Sequence, residues 1–305
     1  MDDAELQPFY EDLVFSLREK GILCAITSGL ACVHYELAQN TKDCDLLCHH
    51  TAFGQLLVEL GAIKLEGQPC RYRGHLSPPL DWGWHAGGWT SHFQWGSGPD
   101  AVTLDVFGQA LRGSTAWPAE LAGLYINPHI VAEMKRTNRD KDWPYITLLG
   151  ERLLEMGDPR GWLHLFDADT LRRLARVSAV PPELLDRRPC LRLALDRDDR
   201  LAPVLKAEQI LWSELDRLRL EIYRRALRPY NLAVIRSQEP ADMPLPDQHH
   251  NRVRCAQEKL ACSPLVGHGL ARHLMEAKAA TARLVRPELM DWLPDLAVHH
   301  SYLET

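Results

Sequence analysis

The spacing of apolar residues changes character along the chain. In the first turns, apolar side chains recur at intervals of three and four and predict a helix over residues 3–20, which Gly21 is placed to end. The next apolar run, ILCAIT at 22–27, is short and continuous, as in a buried strand. Ser28 and Gly29 interrupt this run before a short helical stretch, so the chain begins as helix, strand and helix.

The same alternation continues to residue 108. CDLLC at 44–48 predicts a second strand, residues 51–61 predict a helix, and VTLDVFG at 102–108 predicts a further strand. Short apolar strands that alternate with helices are typical of an α/β arrangement. Residues 74–100 carry four of the nine tryptophans among many Gly and Pro residues. We interpret this stretch as an excursion with hairpin character, because linkers seldom hold so many aromatic residues.

Strand patterns stop after about residue 117. From there to the last residue, apolar positions recur at helical spacing, and prolines separate the helical stretches. The longest helical pattern covers residues 205–227, and residues 237–250 are predicted to be an exposed loop. The whole chain is therefore predicted to be α+β, with a mixed sheet and flanking helices over residues 1–150 and a mainly α-helical domain over residues 151–305.

Composition and charge narrow the class of protein. The formal net charge of −6 argues against a general nucleic-acid binder. Residues 1–150 carry 11 Lys and Arg against 18 Asp and Glu, whereas residues 151–305 carry 24 against 23. A solvated helix surface explains the arginines of the second half, and an acidic partner such as RNA is the alternative. No apolar run is long enough to span a membrane, and the acidic start does not resemble a signal peptide, so we expect a cytoplasmic protein.

The eight cysteines are scattered and form no CxxC pair. Cys44, Cys48, His49 and His50 lie close together in sequence and raise the alternative of a zinc site. Several cysteines fall inside apolar runs, which is typical of buried free thiols. We therefore favour buried thiols over metal ligands.

Carboxylates interrupt two of the predicted strands. Asp43 and Asp45 are two residues apart, so in a strand they project from the same face while Cys44 packs on the other. Two carboxylates so close repel each other unless a cation lies between them. Asp105, in VTLDVFG, offers a third carboxylate from another strand, and three such groups can hold one or two divalent ions for phosphoryl or nucleotidyl displacement. Capping of a turn is the alternative role for Asp43 and Asp45.

The arrangement of these motifs resembles a known family. ITSGLACVHYELAQNTKDCDLL is similar to the signature of the polymerase-β-like nucleotidyltransferase superfamily, in which a strand, Gly-Gly or Gly-Ser, and a helix precede Thr-x-Asp-x-Asp on the next strand. VAEMKRTNRDKDWPYI resembles the Lys and Arg-x-Lys-Asp segment of minimal and abortive-infection toxin nucleotidyltransferases. The resemblance covers about residues 20–150 and implies a nucleotidyltransferase-like sheet.

The resemblance also implies roles for individual residues. Catalytic and metal-binding roles fall on Asp43, Asp45 and Asp105, which would hold Mg²⁺ or Mn²⁺. Contacts to the nucleotide fall on a second set, namely Ser28, Gly29, Thr41, Lys135 and Asp142. Ser28 stands where the family usually has glycine, and an arginine that often precedes the Thr-x-Asp motif is absent. The alternatives are a solvated helix position for Lys135 and a helix N-cap for Asp142.

The tryptophan-rich stretch offers further candidates for substrate contacts. Trp84 and Trp89, with His85 and His92, could stack on or orient a base or an acceptor. Packing of these aromatic residues on the sheet is the alternative.

Three functions remain open at this stage. The first is transfer of a nucleoside monophosphate from an NTP to a hydroxyl of tRNA, a protein or a small molecule, by a toxin-type enzyme that would have a cognate antitoxin. The second is a nucleotide-binding sensor or interaction protein without turnover, which Ser28 and the missing arginine favour. The third is a metal-dependent phosphoesterase that uses the same acids.

Overall fold

The chain forms one eight-stranded mixed sheet covered by helices. The computed structural model describes residues 3–41, 43–113, 116–240 and 242–303. The strands are β1 (Cys24–Thr27), β2 (Asp43–Cys48), β3 (Lys64–Leu65), β4 (Gln68–Tyr72), β5 (Thr90–Trp95), β6 (Val102–Phe107), β7 (Leu121–Ala122) and β8 (Tyr125–Ile126). Their order across the sheet is β3-β4-β5-β6-β2-β1-β8-β7. The fold is therefore α+β, as the sequence predicts.

The centre of the sheet combines parallel and antiparallel pairs. Strand β2 runs antiparallel to β1 and parallel to β6, and β6 runs antiparallel to β5. At the far edge, β8 runs parallel to β1. Along β6 buried and half-buried residues alternate, with Val102, Leu104 and Val106 buried, as expected when one face of a strand packs on the core. The other face of β2 and β6 carries the polar pairs Asp43 with Thr103 and Asp45 with Asp105, followed by Leu47 with Phe107.

Helices make up most of the remaining chain. Those of the first half are α1 (Asp3–Glu19), α2 (Ser28–His34), α3 (Phe53–Ala62), α4 (Trp82–His85), α5 (Pro128–Met134) and α6 (Trp143–Glu155). Those of the second half are α7 (Ala168–Val177), α8 (Pro182–Arg187), α9 (Cys190–Leu195), α10 (Leu201–Arg236), α11 (Leu245–Lys259), α12 (Pro264–His268) and α13 (Leu270–Thr281). Short 3₁₀ helices lie at His50–Ala52, Gly98–Asp100, Trp117–Ala119, Asp140–Asp142, Pro159–His164, Pro287–Trp292 and Ala297–Leu303.

The helical second half packs directly against the sheet half. Helix α10 has 36 residues, and the Tyr223 and Tyr230 hydroxyls donate hydrogen bonds to the carbonyl oxygens of Gly87 and Ser77. The largest apolar core also contains Leu211, Trp212 and Leu215 of α10 together with residues of β1, β2 and β6. The boundary near residue 150 stays a prediction, because shared packing of this kind neither places nor excludes it.

Two local predictions differ from the structure. Strand patterns were expected to stop after residue 117, but β7 and β8 follow it; two-residue strands are too short to show a period. The predicted loop 237–250 contains the start of α11, because Pro244 and Pro246 stand at its first turn, where proline is tolerated. The tryptophan-rich stretch has the expected hairpin character, since its strand β5 runs antiparallel to both β4 and β6, and it also supplies α4.

Seven of the eight cysteines are buried, including Cys44 and Cys48, and Cys262 is exposed. Burial raises the pKa of both the Cys44 and the Cys48 thiol, so these groups stay protonated. Within the described residues, no helix combines enough length with enough apolar character to cross a membrane.

Candidate active site

The acidic residues of β2 and β6 lie side by side on one face of the sheet. Asp45 is the register partner of Asp105, and Asp43 is the partner of Thr103. The Thr103 hydroxyl donates a hydrogen bond of 2.8 Å to Oδ1 of Asp43, which shows that alternate residues of both strands face the same way. Neighbouring strands lie about 4.8 Å apart, so Asp45 and Asp105 are close neighbours. The three predicted acids are therefore brought to one region.

Asp45 is the acid most affected by its surroundings. Removal from water raises the pKa of its carboxyl to about 6, and the charge of Asp105 acts in the same direction. A hydrogen bond from the Ser28 hydroxyl and the charge of Lys135 lower this pKa in part. The carboxylates of Asp45 and Asp105 therefore repel each other, and a cation placed beside them would relieve that repulsion.

Ser28 contacts Asp45 because of an unusual backbone conformation. Its φ of 56° lies in the left-handed region that favours glycine and costs a serine about 1 kcal/mol. The hydrogen bond to the Asp45 carboxylate offsets this cost, since hydrogen bonds to charged groups are among the stronger ones. The serine at this position therefore serves the acidic site directly.

Gly29 is required by the close approach of Thr41. A Cβ atom built on Gly29 would lie 2.6 Å from Oγ1 of Thr41 and 3.2 Å from its Cβ. No side chain fits in that space without movement of the loop that leads into β2. The contact between Gly29 and Thr41 thereby holds the turn after β1 against the segment that leads into β2.

Asp105 is already paired with the Arg73 guanidinium and lies against the His92 ring. The Arg73 guanidinium donates a hydrogen bond of 2.6 Å from Nη2 to Oδ1 of Asp105. Nδ1 of His92 lies 2.9 Å from the same oxygen and 3.2 Å from Nη2 of Arg73. His92 is brought here because it is the register partner of Asp105 across β5 and β6.

Lys135 and Asp142 face each other across the turn that follows α5. Nζ of Lys135 lies 3.6 Å from Oδ1 of Asp142 and 5.4 Å from the centre of the Tyr145 ring. Lys135 is only 8% exposed, which rules out the solvated helix position. Asp142 occupies the N-cap position of α6 but makes no capping hydrogen bond; it accepts instead from Oγ1 of Thr137 and Nε of Arg139.

Most of the predicted site residues line one cleft of about 220 Å³, whereas Asp105 with its partners Arg73 and His92 stands beside Asp45 and is not part of the lining. Its acidic side carries Asp43 and Asp45, and its basic side carries Lys135 with Arg139. The full set of lining residues is Ser28, Gly29, Cys32, Ala38, Asn40, Thr41, Asp43, Asp45, Lys135, Arg139, Lys141, Asp142 and Tyr145. A polyanion that carries a divalent cation matches this division of charge, since the cation suits the carboxylates and the phosphates suit the basic side.

A preformed metal cage is not present among the described residues. No three Asp, Glu, His or Cys side chains within 3–41, 43–113, 116–240 and 242–303 are gathered as a ligand group. The donors nevertheless suit Mg²⁺ or Mn²⁺, because Asp43 and Asp45 offer carboxylate oxygens on one face and Asp105 stands beside them. Asp105 would have to exchange Arg73 for the ion.

Three of the aromatic and histidine candidates lie away from the cleft. Trp84 and Trp89 are buried, and their indole nitrogens donate to the carbonyl oxygens of Leu260 and Ala261. His85 is fully buried, and its Nε2 lies 2.9 Å from Oγ of Ser91. Only His92 reaches the acids. The structure thus gives the first three a packing role against neighbouring elements.

Arg73 and Arg139 are site residues that sequence reasoning did not single out. Arg73 follows β4, which the sequence did not predict, so nothing in the local pattern connected it with Asp105. Arg139 lies inside the quoted Arg-x-Lys-Asp segment, and that motif was the available signal.

Comparison with models of known protein families, with curated proteins and with solved structures found no match.

Proposed function

We propose that this protein is a divalent-cation-dependent nucleotidyltransferase that moves a nucleoside monophosphate from an NTP to a hydroxyl group. The observation that carries this proposal is the register of Asp45 with Asp105 on adjacent parallel strands, next to the turn formed by Ser28 and Gly29. The order of strand, Ser-Gly turn, helix and acidic strand agrees with the resemblance noted in the sequence. A nucleotidyltransferase-like fold is part of the same proposal.

Each side of the cleft has a role in this function. Asp43, Asp45 and Asp105 would hold Mg²⁺ or Mn²⁺, which when bound neutralises charge on the triphosphate. Lys135 and Arg139 bind phosphate oxygens as fixed cations, and Gly29 keeps the backbone close to the nucleotide. Catalysis then consists mainly of positioning and charge stabilisation in a partly closed site.

A second candidate function is nucleotide binding without turnover. The 2.6 Å contact between Arg73 and Asp105 favours it, because a guanidinium there already supplies the positive charge that a metal ion would supply. On this alternative, the protein binds an NTP in the cleft and transmits its presence to a partner.

Label transfer separates these two functions. The full chain is incubated with each α-labelled NTP, MgCl₂ or MnCl₂, bulk tRNA and cell lysate, and the products are resolved on a gel. The enzyme is expected to label an acceptor and release pyrophosphate, whereas the sensor binds NTP in isothermal titration and releases none.

Variants of the acidic residues test whether label transfer takes place in the cleft. We expect Asp43→Ala and Asp45→Ala to lower label transfer by about 100-fold or more while the thermal unfolding transition remains cooperative. Asp12→Ala, on the exposed face of α1, is the control and should retain the activity of the unaltered chain. Equal label transfer in all three variants would refute the assignment.

A further inference from the structure

The second half of α10 carries an exposed surface of a single charge sign. Between Glu221 and Glu239 the chain has no acidic residue. Both of these flanking carboxylates are paired, Glu221 with Arg217 and Glu239 with Arg252. Four exposed arginines lie between them and are called the arginine face, namely Arg224, Arg225, Arg228 and Arg236. This segment is therefore positive in a chain whose formal net charge is −6.

The four arginines lie on the same side of the helix. With about 100° of rotation per residue, they fall within an arc of about 120°. The opposite side of this part of α10 is buried and carries Tyr223, Tyr230 and Val234. From Arg224 to Arg236 the helix rises about 18 Å, at about 1.5 Å per residue. The arginine face is thus a continuous row of positive charge.

The arginine face differs from most other arginines of the helical half in its lack of partners. Arg173 pairs with Glu151 and Arg200 with Asp198, as expected of a solvated helix surface. Within residues 3–41, 43–113, 116–240 and 242–303, no ion pair or side-chain hydrogen bond involves the arginine face. Like charges three and four residues apart on a helix repel each other, so a polyanion on this surface would relieve a local repulsion.

The helices that pack against this part of α10 do not cancel its charge. The exposed Arg254 and Lys259 of α11 are balanced by the exposed Asp247 and Glu258 of the same helix. Helix α12 has no acidic residue, and the single one of α13 forms an ion pair with an arginine of its own helix. The arginine face therefore presents an uncompensated excess of positive charge to solvent.

We propose that the arginine face binds the phosphate backbone of double-stranded RNA. A guanidinium donates two parallel hydrogen bonds to phosphate oxygens, which suits arginine better than lysine to this contact. Only one side of α10 is exposed here, so the helix lies across phosphates and does not enter a groove. The wide, shallow minor groove of A-form RNA accepts such a surface, whereas the major groove of B-DNA accommodates a whole helix.

The surface fits a membrane or a protein partner less well. A helix at a membrane interface inserts a wide apolar face, but the apolar side of α10 is buried inside the protein. Leu232 and Ile235 are about half exposed among the arginines and are too few for insertion. A row of one charge sign over about 18 Å matches the regularly spaced charges of a nucleic acid.

Salt-dependent binding of a labelled RNA duplex of about 16–20 base pairs tests the surface by fluorescence anisotropy. The full chain is used with EDTA and without NTP, so the result does not depend on the proposed nucleotidyl transfer. We expect a Kd of about 1–100 µM at about 100 mM KCl. For four phosphate contacts, log K should fall with log[KCl] with a slope of about −3 to −4.

Neutral variants assign the binding to the arginine face. Arg225→Gln and Arg228→Gln should each weaken binding about 5- to 10-fold and make the slope less steep by about one unit. Both side chains are exposed, so Tm should stay the same; Arg224→Gln carries the same expectation and replaces either variant if it does not fold. Arg176→Gln, at an exposed position of α7, is the control and should keep both affinity and slope.

A DNA duplex of the same sequence and vesicles of phosphatidylcholine and phosphatidylserine test the other ligands. Weaker binding of DNA than of RNA, and no binding of vesicles, support the proposal. Four results overturn it: no binding of RNA at low salt, an unchanged slope in the arginine-face variants, DNA bound as tightly as RNA, or vesicles bound in place of RNA.

Discussion

Nη2 of Arg73 lies 2.6 Å from Oδ1 of Asp105, so an arginine occupies the position beside the third acid that a metal ion would need. His92 stands 2.9 Å from the same oxygen, and Asp45 is the neighbour of Asp105 on β2. The acids of the site therefore have two ways of being neutralised. A divalent cation could neutralise all three carboxylates. Alternatively, the Arg73 guanidinium pairs with Asp105, and the repulsion between Asp43 and Asp45 is then not relieved.

Removal of the arginine should strengthen metal binding. In Arg73→Met, Asp105 loses its guanidinium partner, so we expect Mn²⁺ to bind about 10-fold more tightly than to the unaltered chain. Isothermal titration with MnCl₂ measures the change. Arg71→Met is the control, because Arg71 lies two residues before Arg73, within β4, and its guanidinium donates to the carbonyl oxygen of Gly96. Equal Mn²⁺ affinity in the two variants would show that Arg73 does not compete with the ion.

A side chain at Gly29 should disturb the turn beside the acids. In Gly29→Ala, the new Cβ lies 2.6 Å from Oγ1 of Thr41, and we expect a loss of about 1–3 kcal/mol in the free energy of unfolding. Adding Thr41→Ala to Gly29→Ala removes the closest atom and should restore part of the lost free energy of unfolding. Urea unfolding of the two single variants and the double variant measures this recovery.

Gly54→Ala provides the control for this cycle. Gly54 lies in α3 with nothing within 4 Å of an added Cβ, so alanine there should stabilise the chain by up to about 1 kcal/mol. A loss in Gly54→Ala as large as that in Gly29→Ala would remove the steric explanation.

The buried pair of Arg252 and Glu239 should be important for stability. Nη2 of Arg252 lies 2.8 Å from Oε2 of Glu239, and the same guanidinium donates to the carbonyl oxygens of Ser77 and Gly74. We expect Arg252→Met to cost about 3–5 kcal/mol, because the Glu239 carboxylate loses its cationic partner and keeps only the hydrogen bond from Asn251 among the described residues. The carbonyl oxygen of Gly74 loses the guanidinium donor, and that of Ser77 keeps the Tyr230 hydroxyl. Glu239→Gln in addition should recover part of this cost in guanidinium unfolding. No recovery in the double variant would place the whole loss on the two carbonyl groups.

Buried histidines should make the protein less stable in mild acid. Burial lowers the pKa of His85, His129 and His300 to about 3 and that of His273 to about 4. In the unfolded chain these imidazoles take up protons near pH 6.5, whereas in the folded chain they stay neutral. The free energy of unfolding is therefore highest above pH 6.5 and falls as the pH drops towards 4. Each histidine contributes up to about 1.4 kcal/mol per pH unit in that range.

Urea unfolding at pH 7.5 and pH 5.5 measures this dependence. His85→Asn should reduce the difference between the two pH values, whereas His50→Asn, at an exposed position, should leave it unchanged. A pH dependence that is the same in both variants and in the unaltered chain would contradict the role of His85.

Most of the central sheet could be predicted from local pattern. The runs that form β1, β2 and β6 are continuous or alternate with a period of two, so their burial is visible in the residues themselves. β7 and β8 could not be predicted, because strands of two residues exist only through pairing with β1 and with each other. The start of α11 was missed for a related reason, since prolines at a first helical turn resemble those of a loop.

The candidate site, too, could be predicted only in part from the sequence. The sequence by itself determined that Asp43 and Asp45 share a face, because side chains in a strand alternate with a period of two, and that Ser28 and Gly29 interrupt the chain after a buried strand. Only the tertiary structure decided that Asp105 stands beside Asp45, that Arg73 pairs with it, and that Trp84 and Trp89 are buried. Strand register and the docking of distant helices depend on contacts between residues far apart in the chain, and no local pattern records them.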